Sequence, residues 1–267
     1  MTEDGVQLRA TYCPRTEGKD VVPVVLLHAY KGSRKDYEPL TAYLHGQGFA
    51  VLVPDLRGHG DSTHQVMIYG ARQKELELDA GRFRAPDFRA MVDQDMAAIR
   101  RFLVRKNNDG ELNLNKLVLV GAEMGAAVAL DWAAYDWSLP NYAYAGLKQS
   151  QDVKALVLLS PQWTFQGLNT AQAINHPAIQ RILSLMIVVG KQDPKALGEA
   201  ERLNAKLSAL RQDFSTLPPA ERRIKRTLWF GRFDTRLQGT KMLGVSSLHL
   251  PNHIADFIRI RVVQGEN

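Results

Sequence analysis

Residues 116–129 read KLVLVGAEMGAAVA, and this stretch decides the fold class. The run from Lys116 to Gly121 is apolar after its first residue, which is typical of a strand buried on both faces. Residues that favour a helix begin at Ala126, directly after a second glycine at position 125. The stretch therefore predicts a buried strand followed by a helix.

Five further apolar runs have the same character and predict strands. They are Val21–Ala29, Phe49–Pro54, Val153–Ser160, Leu183–Gly190 and Arg226–Phe230. Between them, apolar residues recur at helical spacing, as in the series Val92, Met96, Ile99 and Leu103. Strands that alternate with helices predict an α/β fold, in which a doubly wound and mostly parallel sheet carries helices on both faces.

The ends and connections of this predicted sheet are also informative. Val6–Tyr12 alternates in polarity and no helix follows it, so we expect an antiparallel edge strand at the N-terminus. Residues 1–267 are expected to form a single domain without a large cap. Two long connections, Ser62–Asp87 and Trp163–Ile182, follow predicted strands, and such loops form the ligand crevice of an α/β sheet.

Composition argues against several classes of partner. The 267 residues carry 34 Lys and Arg against 28 Asp and Glu, which gives a formal net charge of +6. The basic residues are interspersed with acidic ones, and the densest run, Glu221–Arg226, is predicted to be a solvated turn; we expect no nucleic-acid partner. No apolar stretch is long enough for a membrane span, and residues 1–5 lack a signal-peptide pattern. Cytoplasmic residence is therefore the default expectation, and secretion is the alternative if a leader has been removed ahead of residue 1. The single cysteine, Cys13, excludes an internal disulfide.

Two motifs mark the ends of the second and third predicted strands. Residues 24–30 read VVLLHAY, and residues 51–62 read VLVPDLRGHGDS. They resemble the α/β-hydrolase superfamily, in particular its esterases, lipases and dienelactone hydrolases, and the order of strands and helices agrees along nearly the whole chain. In that family the turn after the next strand reads Gly-x-Ser-x-Gly and projects a nucleophilic serine. The matching residues here are Gly121-Ala122-Glu123-Met124-Gly125.

The resemblance assigns three positions to a catalytic triad, two of which hold unsuitable side chains. Glu123 stands at the serine position, Asp193 at the acid position, and Gln238 where the family has its histidine. A glutamine amide cannot relay a proton, and a glutamate carboxylate is a poor acyl acceptor in ester or amide hydrolysis. We therefore expect a protein derived from a serine hydrolase that lacks this activity and has a binding or scaffold role, with a small apolar or acyl molecule as ligand.

Two alternatives remain open at this stage. One is an active hydrolase with unusual chemistry, which would use the Glu123 carboxylate or a displaced base at His249 or His253. The other is a purely structural partner-binding domain, which predicts a closed crevice and a large exposed apolar patch. Three serines follow strand ends without an elbow around them and are disfavoured as nucleophiles: Ser33, Ser62 and Ser160. No His or Cys spacing indicates a metal site, and no cofactor is predicted.

The resemblance also implies an oxyanion hole and a pocket beside the elbow. The backbone N–H groups of Tyr30 and Met124 would form the hole. The candidate pocket residues are His28, Lys31, Trp163 and Phe165.

We expect the Glu123 carboxylate to occupy the oxyanion hole or to pair with Lys31 or Arg34. Asp193 would repel a second negative charge nearby, so a shared proton in an acid pair bridged by Gln238 is a further expectation.

Overall fold

The computed structural model describes residues 1–69, 72–140 and 150–265. In these ranges the strands are β1 (Ala10–Cys13), β2 (Pro23–Leu27), β3 (Ala50–Pro54), β4 (His64–Tyr69), β5 (Arg72–Glu77), β6 (Leu117–Ala122), β7 (Val153–Leu159), β8 (Ser184–Gly190) and β9 (Leu228–Phe233). Seven of them form the central sheet in the order β1-β3-β2-β6-β7-β8-β9. All neighbours in it are parallel except β1 and β3, which run antiparallel with Ala10 opposite Pro54.

This sheet confirms the predicted α/β class and its antiparallel N-terminal edge. The inner strands lie within a few residues of the apolar runs, because an uninterrupted apolar stretch marks a strand covered on both faces. The edge strand begins later than predicted. Val6 instead forms an isolated antiparallel bridge with Gln65, so the first residues contact the long connection after β3.

The helices are α1 (Glu38–Gly46), α2 (Ala85–Ala90), α3 (Met96–Asn108), α4 (Met124–Ser138), α5 (Thr170–Ala173), α6 (Pro194–Ser208), α7 (Pro219–Lys225) and α8 (Leu250–Ile258). A short π-helical segment, Met91–Asp95, joins α2 to α3. No helix in the described part of the chain is long and apolar enough to cross a membrane.

Two apolar layers lie on opposite faces of the sheet. Along β2, Val25 and Leu27 belong to the layer that also contains residues of α3, α4 and α6, whereas Val24 and Leu26 belong to the layer of α1 and α8. Successive strand residues point to opposite faces, so each strand contributes to both layers. Helix α4 is buried along most of its length and therefore holds the turn before it in a fixed position.

Two segments differ from the sequence-based prediction. The connection after β3 contains a hairpin of β4 and β5, with His64 opposite Glu77. Its second strand is almost entirely exposed and polar, so it lacks the apolar alternation that identifies a strand. The basic run within Glu221–Arg226 is mostly helical, as part of α7, rather than a turn.

Candidate functional site

Glu123 occupies a sharp turn between β6 and α4. Its backbone has φ 50° and ψ −107°, an unusual conformation for a residue with a Cβ atom. Two hydrogen bonds hold this backbone: Glu123 N–H donates to the Leu159 carbonyl (2.9 Å), and the Glu123 carbonyl accepts from Ala126 N–H (3.1 Å). The strand-turn-helix geometry that the resemblance implied is therefore present around a glutamate.

The two glycines of the motif allow the turn to pack closely. A Cβ atom on Gly121 would lie 2.3 Å from the Gly125 carbonyl oxygen, and one on Gly125 would lie 2.1 Å from the Leu27 carbonyl oxygen. Both obstacles are backbone atoms that no side-chain rotation can move. The glycines thus bring α4 against β2 and fix the direction of the Glu123 side chain.

The Glu123 carboxylate is half-buried and has no hydrogen-bond partner among the described residues. It lies against Gly239, where an added Cβ atom would be 2.6 Å from Glu123 Oε1. Burial raises the pKa of this carboxyl group, and the positive charge of Lys241 opposes that effect. The group is therefore a poorly solvated acid that faces an open cavity.

The predicted cationic partners of Glu123 are engaged elsewhere. Arg34 forms ion pairs with Asp55 and Asp61. The Lys31 ammonium group lies 5.5 Å from the centre of the Tyr30 ring. The prediction of an ion pair from Glu123 to Arg34 or Lys31 is wrong, because a fully buried carboxylate at Asp55 binds the arginine and Lys31 is exposed.

Gln238 is fixed by hydrogen bonds at both ends of its amide. Its Oε1 accepts from the Ser160 hydroxyl (2.6 Å) and from Gly190 N–H (3.2 Å), and its Nε2 donates to the Gly190 carbonyl (2.9 Å). The Ser160 hydroxyl also accepts from Gly239 N–H (2.9 Å). This network replaces the predicted bridge from Glu123 through Gln238 to Asp193, which is wrong.

Asp193 has a structural role at the start of α6. Its Oδ1 accepts hydrogen bonds from the backbone N–H groups of Lys195 and Ala196, both at 3.0 Å, as a helix N-cap does. The side chain nevertheless lies at the wall of the same cavity as Glu123 and Gln238. The structure therefore brings the three residues that the resemblance assigns to a triad to one cavity, without hydrogen bonds between them.

This cavity has a volume of about 290 Å³. It is lined by Glu123, Ser160, Pro161, Gln162, Thr164, Asp193, Lys195, Ala196, Glu199 and Gln238. All of these except Pro161 and Ala196 are polar or charged. Ser160 follows β7, whose end adjoins the end of β6, and this neighbourhood is the signal by which the sequence could have placed it beside Glu123.

The four predicted pocket residues lie outside the lining of this cavity. His28 is fully buried: its Nε2 accepts from Leu56 N–H (3.0 Å), so Nδ1 carries the proton and donates to the Ala29 carbonyl (2.8 Å). Burial lowers the pKa of His28 to about 4, which keeps the ring neutral. His28 therefore connects the ends of two strands and has no part in the cavity.

The aromatic candidates pack against other side chains. The Phe165 ring lies 5.6 Å from the Tyr30 ring and 5.2 Å from the Phe88 ring, in an aromatic cluster at the crevice edge. The Trp163 ring is covered by the Arg202 guanidinium group at 3.9 Å. The assignment of the Tyr30 and Met124 backbone N–H groups to an oxyanion hole stays a prediction.

Neither alternative base lies at the cavity. His249 and His253 are exposed at the start of α8, where His249 adopts a left-handed conformation with φ 46° and His253 lies 5.8 Å from the Phe233 ring. In addition, no group of three or more His, Cys, Asp or Glu residues is arranged to hold a metal ion within the described ranges.

The raised pKa of Glu123 has a measurable consequence. An acid with a higher pKa in the folded state than in the unfolded state binds its proton more tightly when folded, so stability falls as pH rises through the interval between the two values. Glu123→Gln removes this loss. We expect the variant to gain stability over wild type as pH rises from about 4, the usual range for a free glutamate, to 8, measured by urea unfolding.

Glu75→Gln is the matched control for this measurement, since it removes an exposed carboxylate from β5. A Glu123→Gln variant that is less stable than wild type at pH 8 would show that the charged carboxylate is stabilised by contacts that the structure does not contain.

Solved structures share the fold of this chain. Solved structures of similar fold include an esterase of Pyrococcus furiosus (17% identity, TM-score 0.63, covering 98% of this chain and 90% of that one). A dienelactone hydrolase of Anabaena variabilis is also similar (14% identity, TM-score 0.64, covering 96% and 93%). At these identities the likeness concerns the fold.

Relatives identified by sequence occur in Mycobacterium tuberculosis. Proteins of two Mycobacterium tuberculosis strains, both named as uncharacterized, are 27% identical over 222 residues, which is 76% of this chain and 64% of each relative. A family model described as serine aminopeptidase, S33, matches residues 19–214, from before β2 to beyond α6. This match includes the elbow and the Asp193 cap, and the chain therefore belongs to the serine aminopeptidase S33 family of α/β-hydrolase-fold proteins.

Proposed function

We propose that this chain is a non-catalytic member of its family that binds a small polar ligand in the Glu123 cavity. The observation that carries the proposal is the fixed amide of Gln238. A serine hydrolase needs a base that removes a proton from its nucleophile, and an amide oxygen hydrogen-bonded to Ser160 and Gly190 N–H cannot take one at neutral pH. None of the seven histidines, all within the described ranges, lines the cavity.

Ser160 is the hydroxyl group nearest to this amide, and it is not expected to replace the missing nucleophile. It has φ 50° and is buried, donates to Gln238 and accepts from Gly239 N–H. A hydroxyl group becomes a nucleophile when its partner can accept the proton. Ser160 and Gln238 together are better explained as a structural link between the ends of β7, β8 and the segment after β9.

Catalysis by the Glu123 carboxylate itself is the principal competing function. It would form an ester intermediate, and a base would have to activate water to release the product. Burial raises the pKa of Glu123, so a smaller fraction of this group is ionised and able to attack at a given pH. Asp193, the other carboxylate that could activate water, accepts hydrogen bonds from two backbone N–H groups. These features favour binding over turnover, and the experiment below separates the two.

The lining of the cavity supports a polar ligand in place of the apolar or acyl molecule expected from the family. Three carboxylates, Glu123, Asp193 and Glu199, face one ammonium group, Lys195. A volume of about 290 Å³ is at the lower end of the usual range for small-molecule sites. We propose a small molecule whose hydrogen-bond donors or ammonium group meet the unpartnered carboxylate of Glu123.

The proposal predicts a contrast between wild type and a repaired triad. Wild type is expected to hydrolyse no activated ester and to resist fluorophosphonate labelling. Glu123→Ser/Gln238→His, which restores a hydroxyl and an imidazole at the family's positions, is expected to be labelled, as measured by in-gel fluorescence and intact mass.

Two single variants serve as controls in the same screen. Ester turnover by wild type that disappears in Glu123→Gln would establish carboxylate chemistry and overturn the proposal. Turnover or labelling that disappears in Ser160→Ala would identify Ser160 as a nucleophile and overturn it as well.

A further inference from the structure

A second cavity lies at the opposite end of the sheet from Glu123. It has a volume of about 550 Å³ and lies between the end of α6, the segment 209–215, α7 and the start of β9. Leu228, the first residue of β9, lines it, whereas Glu123 follows the last residue of β6. The two strands belong to the parallel part of one sheet, so this cavity is separate from the candidate functional site and shares no lining residue with it.

Three arginines line this cavity without a carboxylate partner. Within the described part of the chain, no carboxylate oxygen lies within 4.0 Å of the guanidinium nitrogens of Arg211, Arg222 or Arg226. One acid, Asp213, is part of the wall, and its carboxylate accepts hydrogen bonds from the Ser215 N–H and hydroxyl groups, both at 2.8 Å. These hydrogen bonds, and to a smaller extent the charge of Arg222, lower the pKa of Asp213, so this one negative charge offsets part of the positive charge of the three arginines. The cavity therefore carries an excess of positive charge.

Arg211 is the most deeply placed of the three. Its terminal nitrogens donate to the carbonyls of Ile179 (2.6 Å), Leu183 (2.9 Å) and Thr227 (3.2 Å), and its Nε is buried without a partner. Burial, together with the charge of Arg261, lowers the pKa of Arg211 to about 10. A positive charge that is removed from water without a counter-charge is unfavourable, and a bound anion would relieve this cost.

Arg222 and Arg226 have free hydrogen-bond donors for such an anion. Arg222 lies in the last turn of α7, and Arg226 is the residue that follows this helix, with its N–H donating to the Arg222 carbonyl (3.0 Å). Burial and the positive charge of Arg222 both lower the pKa of Arg226, so the two like charges are close enough to repel each other. Arg226 uses only its Nε, which donates to the Leu228 carbonyl, and the Arg222 guanidinium group has no hydrogen-bond partner among the described residues. Their remaining N–H groups form planar arrays that fit phosphate oxygens.

We propose that this cavity binds a phosphate group through Arg222 and Arg226, with Arg211 supplying further positive charge. The volume exceeds that of a phosphate ion, and the ring of Phe214 and the polar groups of Asn204 and Ser208 line the remaining space. The ligand is therefore a phosphate ester, either free in solution or presented as a lipid headgroup. This proposal is independent of the function proposed for the Glu123 cavity.

The test uses the full chain and inorganic pyrophosphate at constant ionic strength. Wild type is expected to bind pyrophosphate in isothermal titration calorimetry. Arg222→Gln/Arg226→Gln is expected to bind at least about tenfold more weakly, because each lost charge-assisted hydrogen bond is worth a factor of about ten. Arg223→Gln/Arg232→Gln removes two charges that are paired with Asp256 and Glu201, and is expected to bind as wild type does.

A second arm separates the two sources of phosphate. The protein is mixed with phosphatidylcholine vesicles that contain phosphatidic acid. Co-sedimentation of wild type that is lost in Arg222→Gln/Arg226→Gln would identify a lipid headgroup. Pyrophosphate binding without co-sedimentation would identify a free phosphate ester. Circular dichroism and thermal unfolding confirm that each variant is folded. The proposal is overturned if wild type binds neither probe, or if wild type and Arg222→Gln/Arg226→Gln bind equally well.

Discussion

Asp95→Ala is expected to lower the free energy of unfolding by about 3–5 kcal/mol, the usual cost of leaving one partner of a buried ion pair alone. Asp95 is fully buried, and its two oxygens accept from the Arg57 side chain (2.8 Å) and the Arg57 backbone N–H (2.9 Å). Arg57 retains Asp4 as a second partner at 2.7 Å, but Asp4 is partly exposed and contacts the other side of the guanidinium group. Urea unfolding at neutral pH measures the loss.

Two further variants distinguish the ion pair from a general effect of substitution. Asp93→Ala, two residues away, removes an exposed carboxylate that pairs with Arg89 at 3.1 Å and is expected to cost less than about 1 kcal/mol. In an Arg57→Met background, Asp95→Ala is expected to lower the free energy of unfolding much less than in wild type. The reason is that the double variant retains neither member of the ion pair, so the second substitution leaves no buried charge without its partner. Equal costs in both backgrounds would contradict an interaction between the two residues.

Gly125→Ala is expected to lower the free energy of unfolding by at least about 3 kcal/mol or to prevent folding. Extra methyl groups in a packed core usually cost about 1–3 kcal/mol, and the cost is larger here because the opposing atoms belong to the backbone. The new methyl group would lie 2.1 Å from the Leu27 carbonyl oxygen and 2.7 Å from the His28 carbonyl oxygen. Relief requires α4 to move away from β2, and α4 is buried on nearly all sides. The yield of folded protein and its thermal unfolding measure the effect.

Gly198→Ala is the matched control, since it makes the same change in the interior of another helix. Gly198 lies in α6, and an added Cβ atom there meets nothing within 4 Å. Alanine is favoured over glycine in a helix, so this variant is expected to gain about 0.5–1 kcal/mol. A Gly125→Ala protein as stable as Gly198→Ala would show that close packing of the elbow is not needed.

Local patterns predicted most of the fold. The strands follow the apolar runs because burial on both faces requires an apolar residue at every position, and α3 follows apolar residues at helical spacing. The glycines at 121 and 125, matched to the family's motif, likewise predicted the elbow, and the packing around them leaves no room for a side chain. The hairpin of β4 and β5 escaped prediction because its exposed second strand carries no such pattern.

The contacts of the site could not be predicted in the same way. Ser160 and Gln238 are 78 residues apart, and their hydrogen bond depends on how the segments that follow β7 and β9 meet. Arg34 was predicted to pair with Glu123, but it forms an ion pair with Asp55, whose buried position the sequence did not indicate. The arginine-lined cavity likewise joins Arg211, which follows α6, to Arg222 and Arg226.

The sequence by itself determined the order of strands and helices and the presence of a carboxylate at position 123 and an amide at position 238, and its resemblance to the α/β-hydrolases implied the sharp turn at position 123. These are properties of residue type and of local spacing, which the chain carries wherever it folds. Only the tertiary structure decided that Gln238 binds Ser160 and Gly190, that the Glu123 carboxylate has no hydrogen-bond partner among the described residues, and that three arginines share a cavity. Hydrogen bonds and charge pairs act over a few ångströms, so their partners are set by the packing of distant segments and not by their order in the chain.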